Sequence, residues 1–243
     1  MGKDELFTAS KTAVSDFDFG EKTAEVFDDM LERSIPQYWE LQRMLGEIAC
    51  EFAEDGTNVY DLGCSTGITL RTLCETVDKD VRCIGIDYSE AMLKRAQEEL
   101  EARGIRRPVE FRWADLNQGV TIRNASVVVL NLTLQFVRPL YRDLLIRAIS
   151  AGLNDNGCLI LVEKVLGNDS LFNRMFIRFY YQMKKRNGYS EMEIAQKREA
   201  LENVLVPYRV DENIELLRKN GFNHIDVFYQ WYNFCGFLGV KHP

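Results

Sequence analysis

Val59-Tyr60-Asp61-Leu62-Gly63-Cys64-Ser65-Thr66-Gly67 is the stretch on which the fold of this chain turns. A short β-rich run stops at Gly63, and a helical pattern, ITLRTLCETV, begins at Ile68. Gly63 and Gly67 let the backbone turn sharply and approach a ligand without a Cβ clash. A glycine pair at this spacing is weak alone, because such turns also serve packing. Asp61, just before the turn, strengthens it. So does Asp87, which ends a second strand, VRCIGID, twenty residues past Gly67. An acid there can accept both hydroxyls of a ribose.

Working outward, SEAMLKRAQEELEARG follows as a helix with Ser89 as N-cap and Gly104 near its end. VEFRWAD (109–115) is a third strand and SVVVLNL (126–132) a fourth, whose near-continuous apolar run fits a strand buried on both faces. RPLYRDLLIRAISAGL is the next helix, and Asp155-Asn156-Gly157 turns into a fifth strand, CLILVEK. VDENIELLRKNG is a helix ended by Gly221. HIDVFYQWYN and FCGFLGVKH then read as a tight antiparallel pair. Upstream, EKTAEVFDDMLERS and QYWELQRMLGEIACEFAE are two helices punctuated by Ile35-Pro36, with Pro36 tolerated in a first turn. Residues 165–207 form an extra helical block, whose second helix starts at the capping box of Ser190 and Glu193. It reads as a cap over the sheet or a lid that supplies substrate groups.

Strands alternating with helices at this rhythm predict one doubly wound α/β domain over 1–243, with the helical block inside it. The 243 residues are 46% hydrophobic and 28% charged, ordinary for a globular chain. A net charge of −7 argues against a protein-wide grip on nucleic acid. No apolar signal region or bilayer-length run is present, so a cytoplasmic protein with no membrane partner is expected. Six cysteines without metal spacing, and only His224 and His242, predict no metal and buried reduced thiols.

Asp115 at the end of strand three can meet an adenine amino group. Three acids at successive strand ends share the carboxyl edge of the sheet, where ligands bind. A pyrophosphate would be repelled by Asp61, which disfavours NAD. Any one acid alone is as readily a solvated strand-end charge. Together with the glycine turn they favour S-adenosylmethionine. The DLG run and the terminal antiparallel pair resemble the class I S-adenosylmethionine-dependent methyltransferase fold, a seven-stranded Rossmann-like sheet.

A narrower resemblance runs along nearly the whole chain. FDFGEKTAEVFDDMLERSIPQY, DLGCSTG, NASVVVLNLTLQF, RNGYSEMEIAQKREALENV and FYQWYNF are similar to the carboxy-S-adenosylmethionine synthase family. That resemblance implies a reaction between S-adenosylmethionine and prephenate. Prephenate loses carboxyl and hydroxyl and becomes phenylpyruvate, while the methyl group beside the sulfonium loses a proton and captures the carbon dioxide. The product, carboxy-S-adenosylmethionine, would serve a partner enzyme, a tRNA uridine carboxymethyltransferase acting at the wobble position.

The resemblance also implies site residues. Arg198 would hold the new carboxylate, and Tyr38 would contact the cofactor near its sulfonium, both as catalytic groups. Gly63, Cys64 and Ser65 would carry backbone and hydroxyl contacts to the amino-acid part, with Asp61 nearby. Asp87 with Tyr88, and Asp115 with Leu116, would bracket ribose and adenine. Asn131, a buried amide interrupting an apolar strand, would touch the cofactor; otherwise it bonds a neighbouring loop. Tyr88 departs from the family, where Asn is associated with this position. Read without the family, Arg198 is a solvated helix arginine paired with Glu202, and Tyr38 an ordinary amphipathic residue. A homodimer is implied, with the helical block at the neighbouring subunit. The basic stretch Arg174, Arg178, Lys184, Lys185 and Arg186 reads as a solvated face, so direct tRNA binding is not expected. A conventional methyltransferase and a non-catalytic S-adenosylmethionine sensor are the rival readings.

Overall fold

In the computed structural model, which describes residues 2–9 and 14–241, helices α1 (Glu21–Ser34) and α2 (Tyr38–Phe52) precede β1 (Asn58–Leu62). Gln37 adopts φ +52°, a left-handed geometry no helix can include, so α2 starts at Tyr38 and Pro36 stays in the linker. Then come α3 (Ile68–Thr76), β2 (Arg82–Asp87), α4 (Glu90–Ala102), β3 (Val109–Trp113) and β4 (Ala125–Asn131). After a single 3-10 turn at Leu134–Phe136 follow α5 (Pro139–Gly152) and β5 (Leu153–Leu166).

The strands order as β3-β2-β1-β4-β5-β8-β7, the first five parallel. β7 (His224–Trp231) and β8 (Phe234–Val240) form the antiparallel hairpin at one edge. A two-residue β6 (Tyr208–Arg209) pairs with the end of β5, and α8 (Val210–Lys219) follows it. β5 is longer than its sequence pattern. The Asp155-Asn156-Gly157 turn survives as an irregularity within it, with Asn156 at φ +63° and a register shift against β4.

β4 shows why the apolar run is needed. Val127 and Val129 face one layer with Leu41, Leu45, Leu70 and Leu73, while Val128 and Leu130 face Leu145, Ile146, Ile149 and Phe222 in the other. Side chains alternate across a strand, so a strand covered on both faces must be apolar at every position. Each such burial stabilises by about 1.5–3 kcal/mol.

The helical block forms α6 (Ser170–Arg186) and α7 (Glu191–Leu201). Asp169 caps α6 by accepting from Leu171 N at 2.7 Å, and the capping box of Ser190 and Glu193 is formed. Arg174, Arg178, Lys185 and Arg186 are exposed as a solvated face requires, but Lys184 turns inward and is buried. All six cysteines are free; five are buried and Cys50 is half-buried.

Candidate functional site

The β1–α3 turn is held by its own backbone donors. Gly63 N and Cys64 N both donate to Ile86 O, at 2.7 and 3.0 Å, and Ser65 N donates to Asp87 Oδ2 at 2.9 Å. Gly63 has φ +76°, and a Cβ there would lie 2.4 Å from Thr133 Cγ2. Gly67, at φ +86°, leaves room for α4, since a Cβ would lie 2.9 Å from Ala96 Cβ. The backbone contacts expected from residues 63–65 are therefore limited to oxygens, because their N–H groups are already committed. A phosphate-binding turn offers N–H groups; this one offers acceptors.

Further acceptors lie close by. The amides of Gln42 and Asn131 both donate to Thr69 Oγ1, at 3.1 and 3.0 Å. Their carbonyl oxygens, and Asp61 Oδ2, are buried without a partner. Asp61 is 1% exposed and accepts a hydrogen bond from the backbone of Leu70 in the first turn of α3. Burial, reinforced by Asp87, pushes its carboxyl up to about 8. Unsatisfied buried acceptors cost stability unless a donor group meets them. Of the three, only Asn131 lines the cavity beside this turn, so its Oδ1 is the orphan acceptor that an ammonium such as S-adenosylmethionine carries can meet. Gln42 and Asp61 are outside the lining.

Asp87 is pinned by Ser65 N and by Ser89 N, the latter at 2.9 Å on Oδ1, and burial still raises its carboxyl above the usual range. Beside it, Tyr88 is half exposed and meets Phe19 edge-on at 6.1 Å. Phe19 also packs on Phe136 at 5.2 Å, and Ser89 Oγ donates to Phe19 O. The segment before α1 thus folds over a slot floored by Leu116 and Val137. Asp115 lies two residues beyond β3. Burial pushes its carboxyl up, but hydrogen bonds from Asn117 and Gln118 outweigh this and hold it low.

The turn at residues 63–66, Thr69, Asn131, Asp87, Tyr88 and Asp115 line one cavity at the carboxyl edge of the sheet. Of the eleven residues the sequence nominates, nine line it: Tyr38, Gly63, Cys64, Ser65, Asp87, Tyr88, Asp115, Leu116 and Asn131. Asp61 sits behind the wall, covered by α3, where it caps the helix. Arg198 does not reach the cavity of its own chain; it is exposed on α7. Its neighbour Lys197, one residue and about 100° around the helix, lines the cavity instead. Lys197 Nζ donates to Ser34 Oγ at 3.1 Å and stands 3.7 Å from Asp4.

Among the lining residues that sequence reasoning passed over are Lys164, Lys197 and Thr69. Lys164 had a signal, a charge closing the apolar strand CLILVEK, like Asn131 in its neighbour. Lys197 had none that set it apart from Arg198. Tyr38 is buried, its hydroxyl hydrogen-bonded by Gln42, and burial followed by the charge of Asp28 pushes its phenol upward, keeping it neutral. Asp28 in turn accepts from Thr66 Oγ1, tying α1 to the glycine turn. Among the described residues no group of three or more His, Cys, Asp or Glu is placed to hold a metal ion, and no helix is long and apolar enough to cross a membrane.

The strand order and the glycine-turn cavity at the carboxyl edge define the class I S-adenosylmethionine-dependent methyltransferase fold. A methyltransferase-domain family profile matches residues 59–157. The carboxy-S-adenosyl-L-methionine synthase of Methylococcus capsulatus is 55% identical over 99% of this chain and 100% of its own length. That of Sulfurimonas denitrificans is 42% identical over 98% and 99%. This chain belongs to the carboxy-S-adenosyl-L-methionine synthase family. Among solved structures, an O-methyltransferase family 2 protein from Planctomyces limnophilus, in complex with apigenin, superposes with a TM-score of 0.65 at 17% identity. That match spans 91% of this chain and 61% of the other, and it speaks for the fold alone.

Proposed function

We propose that this protein converts S-adenosylmethionine and prephenate into carboxy-S-adenosylmethionine, phenylpyruvate and water. The near full-length identity to carboxy-S-adenosyl-L-methionine synthases carries the reading. The cavity supports it, because the orphan Asn131 Oδ1 and a glycine turn whose N–H groups are committed suit the cationic end of S-adenosylmethionine. Prephenate gives up carbon dioxide and hydroxide as its ring becomes aromatic. The methyl group beside the sulfonium loses a proton, which hydroxide takes up as water, and its carbon bonds to the carbon dioxide. Aromatisation supplies the drive, so the protein's task is to position the reactants and oppose their negative charges.

Arg198, outward on α7, serves a site in this reading by reaching into a second copy of the chain. Leu171, Phe172 and Tyr232, exposed near the block, offer an apolar surface for that copy to cover. The product passes to a tRNA uridine carboxymethyltransferase in the cytoplasm, with no tRNA bound here. The test is mass spectrometry of the nucleoside after incubating the protein with S-adenosylmethionine, with and without prephenate. A product heavier by one carbon dioxide, formed only with prephenate and matched by phenylpyruvate, is expected. S-adenosylhomocysteine instead, or an unchanged nucleoside, sinks the proposal.

A further inference from the structure

We propose that Lys164 is the cation that receives a carboxylate of the second, anionic substrate, an assignment that rests on the synthase reading above. Asn131, at the end of β4, pairs in register with Val162 of β5. Lys164 lies two residues further on and therefore on the same face as Val162. This brings its side chain to the carboxyl edge of the sheet, in the wall of the cavity, where it is half-buried. Tyr180, Phe234, Leu201 and Leu205 line the cavity too and give an apolar ring a surface to rest on.

The other cations of this region are accounted for. Lys197 has Ser34 and Asp4. Arg33 has Asp29 and the carbonyls of Asp4 and Asn187. Lys184 sits between the rings of Tyr180 and Tyr189, 5.4 Å from each, and does not line the cavity. Lys164 has only the face of Tyr180, 5.2 Å from its Nζ; among the described residues no hydrogen bond or ion pair is made by its ammonium. Burial lowers its basicity, the direction expected of an ammonium removed from water with no counter-charge.

An uncompensated ammonium at a cavity wall is costly, and binding sites are where such costs are retained. S-adenosylmethionine brings a sulfonium and an ammonium, which the acceptors at the sheet edge suit, and one carboxylate, whose capture by Lys164 would show as lost S-adenosylmethionine affinity. A ring-bearing dicarboxylate needs a cation next to an apolar surface, and Lys164 beside Tyr180 supplies both. A bare packing role on Tyr180 is the competing account, and it makes different predictions.

Lys164→Met, which keeps the stem and removes the charge, separates them. The KM for prephenate should rise roughly tenfold or more, while the affinity for S-adenosylmethionine stays unchanged. The Tm should hold or rise, since an unpaired charge is replaced by an apolar group of similar volume. Lys164→Arg should recover most of the loss. An unchanged prephenate KM overturns the assignment. So does an equal fall in S-adenosylmethionine affinity, or a lowered Tm with no recovery by Arg. Should the Met variant not fold, Lys164→Gln carries the same test. If the wild-type protein makes no carboxylated product, the synthase reading falls. Equilibrium binding of phenylpyruvate to the S-adenosylmethionine-loaded wild type and variant then decides the lysine separately: weaker binding by the variant supports it, and equal binding overturns it.

Discussion

The two walls of the cavity are built by different means. On the sheet edge, the turn after β1 is stitched to β2 by three backbone N–H groups within a span of twenty-five residues. On the other side, the wall made by α6, α7 and the end of β5 depends on side chains from far apart. Lys197 meets Ser34 and Asp4, Tyr189 donates to Asp4 at 2.5 Å, and Gln196 reaches the carbonyls of Phe7 and Ala9. The first wall carries acids and the second carries lysines. A motif confined to one turn can be recognised in a string of letters, whereas a wall assembled over nearly two hundred residues cannot.

The harshest way to break the contrast is at the group that joins the two sides. Arg142, 1% exposed, donates to Val137 O and Gln135 O beside β4 and to Val206 O at the end of the helical block. Arg142→Met would orphan those carbonyls and remove a positive charge that favours ionisation of the buried Glu163. Chemical denaturation should show a loss of about 3 kcal/mol. Gly63→Ala attacks the sheet-edge wall alone. Positive φ and the clash with Thr133 should together cost about 2 kcal/mol. Calorimetry should also show S-adenosylmethionine binding weakened by roughly tenfold or more.

Titration sharpens the comparison more gently, because the buried acids of the sheet and the buried lysines of the helical block respond with opposite signs. Burial raises Asp61 and, despite Arg142, Glu163 to about 8 each. The folded chain therefore holds protons that the unfolded chain, with carboxyls near pH 4, has released. Stability from these groups falls as pH rises from about 4 to 8. In the helical block, burial lowers Lys184 to about 7 and Lys197 to about 8. Below those values the folded chain must charge buried amines, so their contribution rises with pH from about 7 to 10. Urea midpoints measured across this range should flatten at the acidic end in Asp61→Asn and at the basic end in Lys184→Met. Each variant should leave the other limb unchanged.

The smallest expected effect lies in the block itself. Ser190→Ala removes the acceptor for Glu193 N at 3.2 Å and the cap of α7. It should cost about 1 kcal/mol in a thermal melt while leaving S-adenosylmethionine binding as it was. A matching loss of binding would show that the two walls do not act separately.

Much of this molecule is written locally. The double-faced burial of β4, the glycine turn, the strand-end acids, the capping box and the closing hairpin all follow from spacing over a few residues. Eight of the nine nominated residues that line the cavity belong to or flank such features, and Tyr38, at the start of α2, came from the family resemblance alone. Tertiary structure alone decided that Asp61 is covered by α3, that Lys197 rather than Arg198 faces its own chain's cavity, and that Lys164 stands there without a counter-charge. The reason is physical: backbone geometry and strand alternation act over a few residues, whereas burial and charge pairing are set by what arrives from elsewhere in the chain.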